Sequence, residues 1–256
     1  DAQELLHAKN WHDMVINGAF TDKGEPFTIA DAKKADFNYA APLDMMNISL
    51  NYDDEFLKEQ LESNLGVDLR KNKMKKNGPT GVKPRHFNME VVLETVKSMG
   101  LEISLAEIEA IFDTTDDISS NSISDYLKTL PQAVNLVKQL FSKGIKLALI
   151  SNEISKRTSL AMETLGLSNF FQHIIGQDKV KEGKPSGELS DYIISKEQIP
   201  LDKIVNIGDH PNDILMGLNS GIENNIGVLT GLSRAEDFQG QNCILINDLT
   251  EIEVIG

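Results

Sequence analysis

Asp209 and Asp213 stand four residues apart in "VNIGDHPNDILMGLNSG" (205–221), directly after a short apolar run. Two carboxylates on one tight loop offer hard oxygen ligands to a divalent cation such as Mg2+, which keeps several waters of its own. Two other stretches carry complementary groups. "KLALIS" (146–151) ends in Ser151, followed by Asn152, and "QHIIG" (172–176) leads into "QDKVKEGKP", where Lys184 lies between a glycine and a proline. A serine hydroxyl and nearby backbone N–H groups can donate to phosphate oxygens, and a helix N-terminus adds positive potential. A lysine presents a compact positive charge to a phosphoryl group. Each residue alone has a plainer reading. Asp213 after Pro211 favours a helix N-terminus, Ser151 is a cap, and Lys184 is a surface charge. Their arrival one after another at successive strand ends is what argues for a phosphate held beside a metal ion.

The elements that must position these groups are readable around them. "KLALIS", "QHIIG", "KIVNIG" (203–208), "NNIGVL" (224–229) and "CILIN" (243–247) are short apolar runs bounded by polar residues or glycine. Strands buried on both faces have this form, and helical patterns between them imply right-handed βαβ units in a parallel sheet. Ligands of such a sheet gather beyond the carboxyl ends of its strands. A helix is predicted from Pro131 to Phe141, with Val134, Val137, Leu140 and Phe141 on one stripe. Another follows Pro211, carries Ile214, Leu215 and Leu218, and ends near Gly221.

Residues 17–130 read as mostly helical, over 53–64, 89–99 and 104–112. The last opens with Ser104-x-x-Glu107, a capping box. Val92, Val96 and Met99 are in phase on the second. "RKNKMKKNGPTGVKPR" and "DTTDDISSNS" are expected to be solvated loops, and no sheet-forming rhythm is present.

The totals bound the function. The chain has 256 residues, a net charge of −14 and one cysteine. That charge argues against nucleic acid or an anionic membrane surface as the main partner. No run is apolar and long enough to span a bilayer. The lone Cys243, in an apolar run, is expected to be buried, and a cytoplasmic setting follows from the absence of any disulfide.

"ALISN", "EGKPSGEL" and "VNIGDHPNDILMGLNSGI" resemble motifs II, III and IV of the haloacid dehalogenase-like superfamily, and "LPQAVNLVKQLFSKGIKLALISN", "GVLTGLSRAEDF" and "ILINDLTEI" resemble its phosphoglycolate phosphatase and β-phosphoglucomutase branch. The resemblance covers about residues 127–253. It implies a parallel Rossmann-like α/β sheet flanked by helices, with an α-helical cap. It implies a Mg2+-dependent phosphatase working on a small phosphorylated metabolite through an aspartyl-phosphate. Ser151 and Asn152 would bind phosphate, Lys184 would steady the phosphoryl group and nucleophile, and Asp209 and Asp213 would hold the metal, directly or through water. A phosphosugar mutase, and a non-catalytic relative that binds a phosphorylated ligand or a protein, are the alternatives. "TGVKPRHF" (80–87) resembles a cap segment, which makes Lys83 and Arg85 candidates for gripping an anionic substrate, surface charge being the plainer reading. The expected organisation is a start of the core over 1–16, a helical insert over 17–126 and the α/β core over 127–256. Substrate identity and oligomeric state stay open.

The superfamily's motif I, a strand ending Asp-x-Asp-Gly-Thr, supplies the nucleophile and the general acid and base. No Asp-x-Asp-Gly occurs in these 256 residues. "DAQELLHAKNWHDMV" resembles the helix that follows motif I, with Leu5, Leu6, Ala8, Trp11, Met14 and Val15 on its apolar side. On that reading Asp1 is the last residue of the motif, and the central strand lies upstream. "VINGAFTD" (15–22) and "ADFNYAAPLD" (35–44) are internal echoes that lack the nucleophile or the acid.

Overall fold

A computed structural model describes residues 55–255, apart from 69–72, 75–77, 81, 122, 126 and 128. The readings made above for 1–54 lie outside the described residues. The chain divides into two compact units, one ending at Leu127 and one running from Lys128.

Among the described residues the first unit holds three α-helices: α1 (Glu55–Leu65), α2 (Arg85–Ser98) and α3 (Leu105–Ser120). Leu57, Leu61, Met89, Val92, Val96, Ile108 and Phe112 are buried together between them. The capping box opens α3 as expected: Glu107 N–H donates to Ser104 Oγ at 3.2 Å, and Ser104 N–H donates to Glu107 Oε2 at 2.9 Å. Two expectations need correction here. A short antiparallel hairpin, β1 (Val67–Asp68) with β2 (Lys73–Met74), lies where only loop was expected. Strands of two residues are too short to show alternation. The helix α3 also runs on through "DTTDDISS" to Ser120. Its polar residues are accommodated: Thr114 Oγ1 donates back to the Ala110 carbonyl at 2.8 Å, and the buried Asp116 pairs with Arg85.

The second unit is α/β. Its order is α4 (Pro131–Ser142), β3 (Ala148–Ile150), α5 (Ser155–Thr164), β4 (His173–Ile175), α6 (Glu188–Glu197), β5 (Val205–Gly208), α7 (Pro211–Asn219), β6 (Asn224–Val228) and β7 (Ile244–Ile246). All strand pairs in it are parallel: β3 with β4, β5 with β6, and β6 with β7. The helices between successive strands from β3 to β6 agree with the expected parallel sheet flanked by helices. Ile175, Leu189 and Met216 form a buried core with Ile150, Tyr192 and Ile193 against it.

The sheet is not continuous among the described residues. β3 and β5 each keep one edge with no strand partner. This corrects the picture of five strands buried on both faces. Val205 and Ile207 alternate outward at 56% and 40% exposure, with Asn206 and Gly208 turned the other way. Ile244 on β7 is exposed as well. Phe141 also departs from its expected stripe: it is exposed and meets Phe170 edge-on at 5.3 Å, while Leu136 is the buried residue of α4. Cys243 is only half-buried, because it precedes the edge strand β7.

Candidate active-site rim

Three strand ends converge on Lys184. Its ammonium donates to Asp213 Oδ1 at 2.6 Å and lies 3.4 Å from the carbonyl of Ile150, the last residue of β3. Asp213 opens α7 directly beyond β5, so one side chain from the loop after β4 touches the carboxyl ends of both β3 and β5. The loop carrying Lys184 is itself fixed by Asn152, whose Oδ1 accepts the Lys184 backbone N–H at 2.8 Å. Asn152 therefore positions Lys184, a role that its expected place among the phosphate donors did not include.

Ser151 stands at the head of α5 on an extension of the parallel ladder, donating its N–H to the Ile175 carbonyl at 3.0 Å. Its Oγ accepts the Glu153 N–H at 3.0 Å. One acceptor site of the hydroxyl is thus filled from the backbone, a local pattern that serine favours at helix starts. Glu153 is buried and is held in turn by Ile154 N–H at 2.9 Å and by Arg157, one helical turn on.

Asp213 serves two partners. Oδ1 meets Lys184, and Oδ2 accepts the His210 N–H at 3.0 Å. His210 Nδ1 accepts the Asn212 N–H at 3.1 Å, which completes a capping arrangement at the head of α7. The plain reading of Asp213, a residue that favours a helix start, is therefore correct and coexists with its carboxylate facing Lys184.

Asp209 is the unusual member. Its Oδ2 is buried without a hydrogen-bond partner. Burial, with Asp213 adding repulsion and Lys184 only partly offsetting it, pushes the Asp209 carboxyl up to about 8. An anionic oxygen so enclosed is costly unless a cation neutralises it. That observation is the test of fit for Mg2+, and the residues pass it: two hard carboxylates, one of them unpartnered, lie on one loop. Among the described residues no group of three or more His, Cys, Asp or Glu side chains gathers around a common point, so waters or further oxygen ligands would complete the shell.

Two glycines let the carboxylates sit so tightly. A methyl group on Gly208 would collide with the Asp213 side chain, and one on Gly231 with Asp209 Oδ2. Gly231 follows β6, so a fourth strand end closes over the rim. Sequence reasoning missed Gly231, because a glycine after a strand looks like an ordinary turn. It also passed over Asn206, whose signal was a polar residue inside the apolar run "IVNI".

Lys83 and Arg85 belong to the first unit. Arg85 is enclosed: Nη2 pairs with Asp113 at 2.7 Å, Nε with Asp116 at 3.1 Å, and the guanidinium lies over Phe112. Lys83 lies over the Phe87 ring, 5.7 Å from its centroid.

The second unit is a parallel α/β unit with a hydroxyl, an ammonium and two carboxylates at the carboxyl ends of its strands, groups suited to a phosphate beside a cation. The chain belongs to the haloacid dehalogenase-like hydrolase family, whose model matches residues 56–226. Within it, the phosphoglycolate phosphatase and β-phosphoglucomutase branch is the one it resembles. It is 27% identical over 143 residues to a phosphoglycolate phosphatase of Vibrio parahaemolyticus, an alignment covering 55% of this chain and 62% of the relative. The chain thus spans less than two thirds of the length of that curated relative. Two solved structures share the fold. One, assigned as a β-phosphoglucomutase of Thermotoga maritima, superposes with a TM-score of 0.53 at 20% identity, covering 77% of this chain and 87% of the other. The other, CbbY of Rhodobacter sphaeroides in complex with phosphate, gives 0.56 at 15% identity, covering 95% and 89%.

Proposed function

We propose that the second unit carries the phosphate and Mg2+ rim of a phosphatase that acts on a small phosphorylated metabolite through an aspartyl-phosphate. The observation that carries this reading is Lys184, set between the ends of β3 and β5 beside the buried, unpartnered Asp209 oxygen. Ser151, with one Oγ acceptor site taken by Glu153 N–H, directs its own proton toward a phosphate oxygen. Lys184 counters the phosphoryl charge and is steered there by Asn152. Asp209 and Asp213 would hold Mg2+, which supplies positive charge to the phosphoryl oxygens when bound.

The nucleophilic carboxylate is assigned to a strand from outside the described residues, entering between the free edges of β3 and β5. A strand there would satisfy backbone groups on both sides, and such groups are costly when buried and unpaired. In the first unit, Lys83 is kept as the group proposed to meet an anionic substrate. Arg85, held by two carboxylates, is assigned to the fold of that unit. The partner proposed is therefore a small phosphate ester, with neither nucleic acid nor membrane required. No helix among the described residues is long and apolar enough to cross a membrane.

Phosphate release from a panel of phosphomonoesters, with and without Mg2+, tests the proposal. These 256 residues alone, which hold no Asp-x-Asp-Gly, should release none. The chain extended at its N-terminus by an apolar strand ending Asp-x-Asp-Gly-Thr should release phosphate steadily and only with the metal. Turnover by the unextended chain would contradict the assignment of the nucleophile. An extended, folded chain that turns over no ester would contradict the phosphatase reading.

A further inference from the structure

A pair of amides, one buried and one half-buried, lies behind the carboxylates. Asn206 on β5 and Asn225 on β6 are register neighbours on parallel strands. Asn206 Nδ2 donates to Asn225 Oδ1 at 2.9 Å and to the backbone carbonyl of Asp213 at 2.8 Å. Asn225 is 3% exposed, and its Nδ2 donates to the Ile222 carbonyl at 2.7 Å. The helix α7 is drawn against the pair at Gly217, where a methyl group would collide with both amides.

We infer that Asn206 and Asn225 are positioning residues that set the first turn of α7, and through it the Asp213 carboxylate, for metal binding. A parallel strand buried against a helix would ordinarily present valine or isoleucine at such positions. Two amides there contribute direction instead of apolar burial. Of the pair's two bonds to the main chain, one goes to Ile222 and the other to the residue whose side chain faces Lys184. The first turn of α7 is thereby held from both sides, by Asn206 beneath it and by Lys184 and the His210 N–H at the rim. Outer groups that fix a ligand's orientation commonly change metal affinity by about 10- to 100-fold when removed. The inference rests on the proposed metal site and is separable from it.

The test is Mg2+ binding by titration calorimetry, with thermal melting in parallel. In Asn206→Val/Asn225→Val both amides are replaced by residues suited to a buried strand, a change that leaves no lone amide unpaired. This variant should melt within a few degrees of the unaltered chain and bind Mg2+ about tenfold more weakly. Gly217→Ala, which favours the helix yet forces it off the amides, should weaken Mg2+ in the same direction and guards against misfolding of the double variant. A well-folded double variant with unchanged Mg2+ affinity would overturn the positioning role and leave the metal site standing. An unaltered chain that binds no Mg2+ would overturn the site itself, and the inference with it.

Discussion

Lys184 is where the residue-scale account is most exposed. Its ammonium is the partner of Asp213 and the nearest relief for Asp209, and all three are largely removed from water. Removing one member of a buried pair leaves the other charge uncompensated, at a cost of about 3 kcal/mol or more. Lys184→Met should therefore lower the free energy of unfolding by about 3 kcal/mol in urea melts without metal, and millimolar Mg2+ should restore part of it. A variant as stable as the unaltered chain, with or without metal, would show that the lysine has no such role. Lys184 alone reads as a surface charge, and it was legible only because Ser151 and the Asp209–Asp213 pair stand at the neighbouring strand ends. The tie from Asn152 to its backbone was not, because spacing along the chain says nothing about which loops meet across a sheet. Arg85 shows the converse failure. A cation beside a basic run reads as available, and only the fold reveals Asp113 and Asp116, 28 and 31 residues away, closing on it.

At the scale of elements, α5 shows how a strand end is locked to the helix that precedes the strand. Asp178, in the turn after β4, accepts the Ser155 N–H at 2.5 Å and the Ser155 hydroxyl at 2.7 Å, while Ser155 Oγ accepts the Gly176 N–H at 2.9 Å. Partial burial works to raise the Asp178 carboxyl, but these hydrogen bonds and the Lys179 charge outweigh it and hold the carboxyl below its usual range. A depressed carboxyl contributes stability above its unfolded value and loses it as pH falls through the folded one. Asp178→Ala should cost about 1 kcal/mol at pH 7, as loss of a helix cap does. The difference between the two proteins should shrink below about pH 4. Melting curves from pH 7 to pH 3 check this, and a gap that stays constant would refute the cap. Helices with strong starts were readable to within a few residues: Pro131 opens α4, and Ser104 with Glu107 opens α3. The end of α3 was not, because "DTTDDISS" has the composition of a loop and is kept helical by Asp116 reaching Arg85. The β-strand positions were readable too. Their burial was not, since alternation along β5 depends on what covers each face.

For the whole molecule, the order of apolar runs and helical patterns was enough to give a parallel α/β unit, and the motifs pointed to the residues of its candidate rim. The gap between β3 and β5 among the described residues falls where the resemblance puts the central strand. What sequence could not show is that Gly231 closes over Asp209, because that approach is fixed by packing between segments far apart in the chain. The account depends on one spatial claim: a single phosphate can touch Ser151 and Lys184 while a divalent ion sits on Asp209 and Asp213. The direct measurement is a crystal structure of the chain grown with Mn2+ in place of Mg2+ and with inorganic phosphate. The account predicts anomalous density for one metal ion against both aspartates and a phosphate within hydrogen-bond distance of Ser151 Oγ and Lys184 Nζ. An ordered rim with the metal or the phosphate bound elsewhere would contradict it.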